Sequence, residues 1–140
     1  MRPDPFRPAV VVCETCGYDP NRPEAERPGR RLFRVLEERV AAGVIEDPQA
    51  FDLVTTRCLM ACKRPCNVHL RAPDKMLYVV GDLPWDATGA DIVLDYFAKY
   101  LQSADGVVPY RQWPEGIKGR FVARIPPVFT AVPDNSADDP

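Results

Sequence analysis

Five cysteines fall into two groups in this chain of 140 residues, and thiolate is the ligand that soft metals and iron–sulfur clusters select. The groups are a pair and a triple: Cys13 and Cys16, then Cys58, Cys62 and Cys66. Each group follows a short apolar run, Ala9 to Val12 or Phe51 to Val54, that is typical of a buried strand. If the two strands are neighbours, the pattern predicts that thiolates from both groups converge on one metal centre at the strand ends.

A Cys-x-x-Cys pair by itself leaves three chemistries open, because zinc sites, redox dithiols and iron–sulfur sites all use it. A redox dithiol needs its first cysteine at a helix N-terminus, where free amides stabilise the thiolate. Here Cys16 is followed by Gly17 and a turn-rich loop, which disfavours that chemistry. Zinc could use Cys13 and Cys16 together with the first two cysteines of the triple. However, zinc knuckles stabilise chains that are too short to build a hydrophobic core, and this chain is long enough to build one. A zinc site also leaves Cys66 without a role.

The iron–sulfur interpretation uses four thiolates, because a [2Fe-2S] cluster needs two cysteines per iron and tolerates a long gap between the pairs. The predicted ligands are the first four cysteines of the chain: Cys13, Cys16, Cys58 and Cys62. Cys66 stays outside this set; it could replace a ligand, lie beside the cluster as an extra thiol, or be a small buried apolar residue. The cations beside the triple either offset the charge of the cluster or form an ordinary solvated turn: Arg57, Lys63 and Arg64.

The composition narrows the class of protein. A net charge of −2 argues against broad binding to nucleic acid or acidic membranes. No apolar stretch approaches the roughly 20 residues that span a bilayer, and no apolar signal core follows the first charged residues. A cytoplasmic location, where thiols stay reduced, is therefore predicted. No Ser/His/Asp set, phosphate-binding glycine loop or paired-carboxylate motif has a usable spacing, so an electron carrier or metal-binding protein is predicted rather than an enzyme.

The spacing of apolar residues predicts elements in the order β-α-β-β-β-α. Residues 1–8 are predicted to form an extended arm, residues 9–102 an α/β domain, and residues 103–140 a proline-rich extension with an acidic, disordered end. The two helices are expected at residues 30–43 and 88–102. The two strands of a hairpin are expected at residues 67–71 and 75–80, and one strand of the extension at residues 120–125.

This order of elements and the segment Cys58-Leu59-Met60-Ala61-Cys62 resemble the thioredoxin-like [2Fe-2S] ferredoxins, which carry a Cys-Leu-Gly-x-Cys loop. That group includes the small ferredoxin subunit of respiratory complex I. The chain is more similar to a bacterial family of predicted metal-binding proteins of unknown function, often encoded near cobalamin-biosynthesis genes. The segments that carry this second resemblance are Cys13-Glu14-Thr15-Cys16, Pro28-Gly29 and residues 58–66, 75–83 and 123–127.

The resemblances imply a thioredoxin-like α/β fold, a [2Fe-2S] cluster, transfer of single electrons to a redox partner protein, and a link to cobalamin metabolism. Neither nucleic acid nor a membrane is expected as a partner, and a homodimer is left open. Two features depart from the ferredoxins: the cysteines of the first pair are spaced more tightly, and Cys66 has no counterpart. A zinc-binding or other metal-handling protein without an electron-transfer role is the alternative.

Overall fold

Five β-strands and two α-helices form the part of the chain that the computed structural model describes, residues 7–17, 19–60 and 64–127. In chain order the elements are β1 Ala9–Cys13, α1 Pro28–Ala41, β2 Asp52–Thr56, β3 Val68–Arg71, β4 Leu77–Val80, α2 Ala87–Gln102 and β5 Phe121–Ile125. The predicted β-α-β-β-β-α order is confirmed, and β5 is the strand predicted in the extension. The predictions of an extended arm and a disordered acidic end concern mostly residues 1–6 and 128–140, which lie outside the described residues.

The strands form one mixed sheet in the order β2-β1-β3-β4-β5. β1 pairs parallel with β2, a pairing that needs a crossover connection such as the one α1 provides, and antiparallel with β3. The pairs β3–β4 and β4–β5 are also antiparallel. All five residues of β1 are buried, which fits the apolar run that predicted this strand. This topology brings the C-terminal ends of β1 and β2 and the start of β3 to the same edge of the sheet.

Both helices contribute to a single core with one face of the sheet. Alternate strand residues share a buried cluster with apolar residues of α1 and α2, as the period of two along a strand requires. Its members include Val10, Val12, Val68, Leu70, Leu32, Leu36, Val93 and Phe97. The helices are joined by a bidentate ion pair in which Arg39 Nε and Nη2 lie 2.8 and 3.1 Å from the Asp91 carboxylate oxygens.

Helix α1 begins at Pro28, two residues before the predicted start at Arg30. Proline is favoured in the first turn because its fixed φ suits the helix and it has no N–H there to leave without an acceptor. The sequence pattern placed the Pro28-Gly29 dipeptide in the preceding loop, because both residues are common in turns. The consequence is that Gly29 lies inside the first turn of α1, where it contacts the cysteine pair.

Residues 103–127 pack against the sheet and α2. Ile117 is fully buried, and the indole of Trp113 donates a hydrogen bond to the Val108 carbonyl oxygen at 2.8 Å. The rings of Trp113 and Phe121 have centroids 4.9 Å apart, which attaches this segment to the start of β5. Within the described residues, neither helix combines the length and the apolar character that crossing a membrane demands.

Candidate metal centre

The four described cysteines lie at one edge of the sheet. Cys13 is the last residue of β1 and pairs with Thr56, the last residue of β2; Cys58 follows two residues later. Because β3 runs antiparallel to β1, its start is at the same edge, and Cys66 precedes Val68 by two residues. The strand topology therefore brings backbone from both cysteine groups to one edge of the sheet. The convergence of four thiolates on one metal centre stays a prediction. The fourth predicted ligand, Cys62, lies outside the described residues.

The sulfur of Cys13 contacts both cysteine segments. Its Sγ lies 3.8 Å from the Arg57 carbonyl oxygen and accepts a hydrogen bond from the backbone N–H of Leu59. On its own segment it lies 3.8 Å from Thr15 Oγ1 and accepts from the Cys16 thiol. Burial raises the pKa of Cys13, but the hydrogen bonds from Cys16, Leu59 and Thr15 together outweigh burial and hold this pKa below its ordinary value. These hydrogen bonds thus make the thiolate form of Cys13 more favourable than in a free cysteine.

Cys66 lies beside the first pair and is buried, which agrees with two of the three roles that the sequence left open for it. Its side chain is 1% exposed and belongs to the hydrophobic core cluster. Burial, followed by the negative charges of Cys16 and Cys13, raises the pKa of Cys66 to about 12. Three thiols are therefore neighbours at this edge, and Cys66 is the one whose surroundings favour the protonated form.

Cys58 is exposed, in contrast to Cys13 and Cys16. Its sulfur accepts a hydrogen bond from the Met60 amide at 3.2 Å and lies 3.9 Å from the Met60 sulfur. Met60 has a φ of 59°, a left-handed conformation that favours glycine, and the Cys-Leu-Gly-x-Cys loop that this segment resembles has glycine at that position. Its side chain is 88% exposed, so an apolar group projects into solvent beside Cys58.

The described cysteines are all free thiols. Within residues 7–17, 19–60 and 64–127, no group of three or more His, Cys, Asp and Glu side chains is arranged to hold a metal ion. The described cysteines nevertheless place four sulfur atoms at this edge, and the Cys13 sulfur is within hydrogen-bonding reach of the second segment. This donor set fits a soft, thiolate-bound centre and not an oxygen-bound cation such as Mg²⁺ or Ca²⁺.

The start of helix α1 fixes the backbone of the first pair. The Gly29 N–H donates a hydrogen bond to the Cys16 carbonyl oxygen at 3.2 Å, and Arg27 Nη1 donates to the Thr15 carbonyl oxygen at 3.2 Å. A Cβ at residue 29 would collide with the Cys13 carbonyl oxygen, so only glycine fits there. The turn between the two cysteines is thus held against α1 although no helix begins at the pair itself.

Asn67 connects the cysteine triple to β1. Its carbonyl oxygen accepts a hydrogen bond from the Cys13 N–H at 3.1 Å, and its side-chain amide donates to the Arg64 carbonyl oxygen at 3.2 Å. Asn67 is fully buried. A polar residue at the start of an apolar strand is the signal that could have identified it, because a buried amide needs specific partners.

Arg64 is neither a free cation nor part of a solvated turn. Its guanidinium lies 2.6 Å from the Asp82 carboxylate and donates to the carbonyl oxygens of Gly119 and Phe121 at 2.6 and 3.0 Å. These bonds attach the cysteine triple to the end of β4 and the start of β5. We therefore assign Arg64 a structural role: it holds the backbone before Cys66 against these two strands.

Replacing Arg64 with leucine is expected to lower the free energy of unfolding by about 1–3 kcal/mol, because three acceptors lose a charged donor. Chemical denaturation followed by circular dichroism measures the change. Glu115→Gln is the matched control, since Glu115 forms only an exposed local ion pair with Lys118, and it should change stability by about 0.5 kcal/mol or less. An unchanged free energy of unfolding in Arg64→Leu would contradict the structural role assigned to Arg64.

Residues 10–127, which include every cysteine, match the family model described as "Protein of unknown function (DUF1636)". The chain belongs to this family. The DUF1636 chain is also similar to a solved structure of a thioredoxin-like [2Fe-2S] ferredoxin from Aquifex aeolicus, with a TM-score of 0.53 and 16% sequence identity. The similarity covers 88% of this chain and 97% of the ferredoxin. At this identity the likeness concerns the fold, which is thioredoxin-like α/β as predicted. No curated protein shows significant similarity to the chain.

Proposed function

We propose that this DUF1636 protein is a ferredoxin-like electron carrier, not an enzyme, that holds one [2Fe-2S] cluster on Cys13, Cys16, Cys58 and Cys62. The cluster would pass single electrons to a redox partner protein. A location in the cytoplasm and a link to cobalamin metabolism belong to the same proposal and rest on composition and resemblance alone. The fold shared with a thioredoxin-like [2Fe-2S] ferredoxin supports the cofactor class.

The contact of the Cys13 sulfur with the second cysteine segment carries this proposal. Cys13 and Leu59 are far apart in sequence, yet the Leu59 amide donates to the Cys13 sulfur. A thiolate of the first group and the backbone beside Cys58 therefore share one small volume. Four thiolates from two chain segments are what a [2Fe-2S] cluster requires.

The groups around the cysteine sulfurs would affect the reduction potential of the cluster and its access to water. The backbone amides of Leu59 and Thr15 donate to the Cys13 sulfur and would stabilise negative charge on it, which raises a cluster's reduction potential. Cys13 and Cys16 are almost fully buried, so their sulfurs are shielded from water. Cys58 is exposed and Met60 projects beside it, so this side of the site is the one that a redox partner could approach.

Anaerobic purification or reconstitution tests the proposal. We expect iron and acid-labile sulfide in equal amounts, visible absorption from sulfur-to-iron charge transfer, and a rhombic electron paramagnetic resonance signal after reduction. Stoichiometric zinc without sulfide would reject the iron–sulfur proposal.

A metal-handling protein is the second candidate, and the placement of Cys66 favours it. A third buried thiol beside Cys13 and Cys16 could serve as an exchange ligand during metal transfer. In that case Cys66→Ser should abolish transfer of zinc to a chelator-depleted acceptor while the fold stays intact. An electron carrier should keep its cluster and its spectrum in the same variant.

A further inference from the structure

A groove of about 500 Å³ adjoins the cysteine pair on the side of helix α1. Its walls come from the loop after Cys16, the first turn of α1, and Trp85 just before α2. Small-molecule sites in proteins occupy roughly 300–1,000 Å³, so the groove has the size of a ligand site. No predicted cysteine ligand is among the described residues that line it, although Gly17, the neighbour of Cys16, is.

Three arginines line the groove, and two of them are available for a ligand. Arg27 already donates to the Thr15 carbonyl oxygen and so holds the cysteine turn. Arg22 and Arg31 are exposed at the groove. A guanidinium pairs with a carboxylate or a phosphate through two parallel hydrogen bonds, which is the reason arginine dominates sites for such anions.

The two carboxylates of the groove, Asp19 and Glu26, offset only part of this charge. Glu26 lies 2.6 and 3.3 Å from the guanidinium of Arg34, a residue that does not line the groove. The hydrogen bond from Arg34 holds the pKa of Glu26 below its ordinary value, although burial opposes it. The carboxylate of Asp19 accepts the Asn21 N–H at 2.9 Å and so closes the turn of its own loop. The positive charge of Arg31 also lowers the pKa of Glu26. Three arginines against two carboxylates nevertheless leave the described lining of the groove with one net positive charge.

Trp85 adds an aromatic surface to the same groove. Trp85 is 46% exposed, so part of its indole is open to a molecule in the groove. Indole rings stack on planar groups and gain more than area burial alone provides. We infer that this groove binds a planar anion, whose ring stacks on Trp85 and whose phosphate or carboxylate groups pair with Arg22 and Arg31.

This inference stands apart from the iron–sulfur proposal, because it uses none of the predicted cluster ligands. Binding can fail in a protein that carries iron, and iron can be absent from a protein that binds the anion. A ligand in the groove would nevertheless lie against Gly17, next to the cysteine pair.

Isothermal titration calorimetry of the full chain as purified tests the inference with four probes. ATP and 1-naphthoate are planar anions that carry phosphate and carboxylate groups, and the tighter of the two identifies the anionic group. Adenosine lacks the anion and pyrophosphate lacks the ring. We expect each of these two to bind at least about tenfold more weakly than the better planar anion. Tryptophan fluorescence should fall on binding of that probe, and Trp85→Leu should remove the change.

Arg22→Gln and Arg31→Gln should each weaken binding of the planar anion by about tenfold or more. Arg111→Gln is the matched control, since Arg111 is an exposed arginine that is not among the residues lining the groove, and it should leave binding unchanged. Iron content should stay at the wild-type level in all three variants. No binding of ATP or 1-naphthoate at millimolar concentration overturns the inference. The inference is also overturned if pyrophosphate binds as tightly as ATP. It is equally overturned if neither Arg22→Gln nor Arg31→Gln weakens binding of the planar anion.

Discussion

Cys13→Ser is expected to lose most of its iron and labile sulfide. Serine keeps its proton at neutral pH and offers a hard oxygen donor, whereas an iron–sulfur cluster requires thiolate. Cys13 is buried at the end of β1, and its sulfur contacts both cysteine segments, so loss of this sulfur removes the point where the segments meet. We expect the iron bound per chain to fall at least about tenfold, because loss of a ligand exceeds the effect of changing a supporting residue. Metal analysis and the visible spectrum measure the loss.

Cys66→Ala is the matched control for Cys13→Ser. Both cysteines are buried at the same edge of the sheet, but the side chain of Cys66 packs within the apolar core. We expect this variant to keep its iron and to lose about 1 kcal/mol of unfolding free energy, because a sulfur leaves a small cavity. Wild-type iron in Cys13→Ser would contradict the proposed ligand set. Retained iron in Cys13→Ser combined with lost iron in Cys66→Ala would identify Cys66 as the ligand in place of Cys13.

The order of elements could be predicted because each element has its own local signal. The apolar run of β1 and the helical spacing of Leu32 and Leu36 depend on nearby residues alone, and these residues enter the core as the spacing requires. The start of α1 was displaced by two residues because Pro28 and Gly29 suit a loop and a first helical turn equally well. Local sequence thus determined the kind of element better than its boundary.

The contacts around the cysteines could not be predicted, because they depend on which strands pair. Cys66 is next to the first pair because β3 runs antiparallel to β1 and because Cys66 adopts a φ of 47°, a left-handed conformation without a signature in a cysteine. The Arg64 side chain donates to the carbonyl oxygens of Gly119 and Phe121, which follow it in the sequence by 55 and 57 positions. A pattern of neighbouring residues cannot indicate hydrogen-bond partners that lie so far apart in the sequence.

Gly29→Ala is expected to destabilise both the fold and the proposed metal centre. An added Cβ would collide with the Cys13 carbonyl oxygen and would lie 3.2 Å from the Cys16 Cβ. The main obstacle is backbone at the end of β1, so it cannot move aside as a flexible side chain would. Either α1 or the cysteine turn must shift, and the Gly29 hydrogen bond to the Cys16 carbonyl is strained in both cases. We expect a loss of about 1–3 kcal/mol in unfolding free energy and a lower iron content.

The sign of the Gly29→Ala effect makes it diagnostic. In an unconstrained helix, alanine is more favourable than glycine by about 1 kcal/mol, so a helix that did not contact the cysteine turn would gain stability. Glu37→Ala, at an exposed position of the same helix, controls for the general effect of alanine and should change stability by about 0.5 kcal/mol or less. Denaturation curves and iron analysis on all three proteins provide the comparison. A Gly29→Ala protein that is more stable than the wild type and fully loaded with iron would show that α1 does not hold the cysteine pair in place.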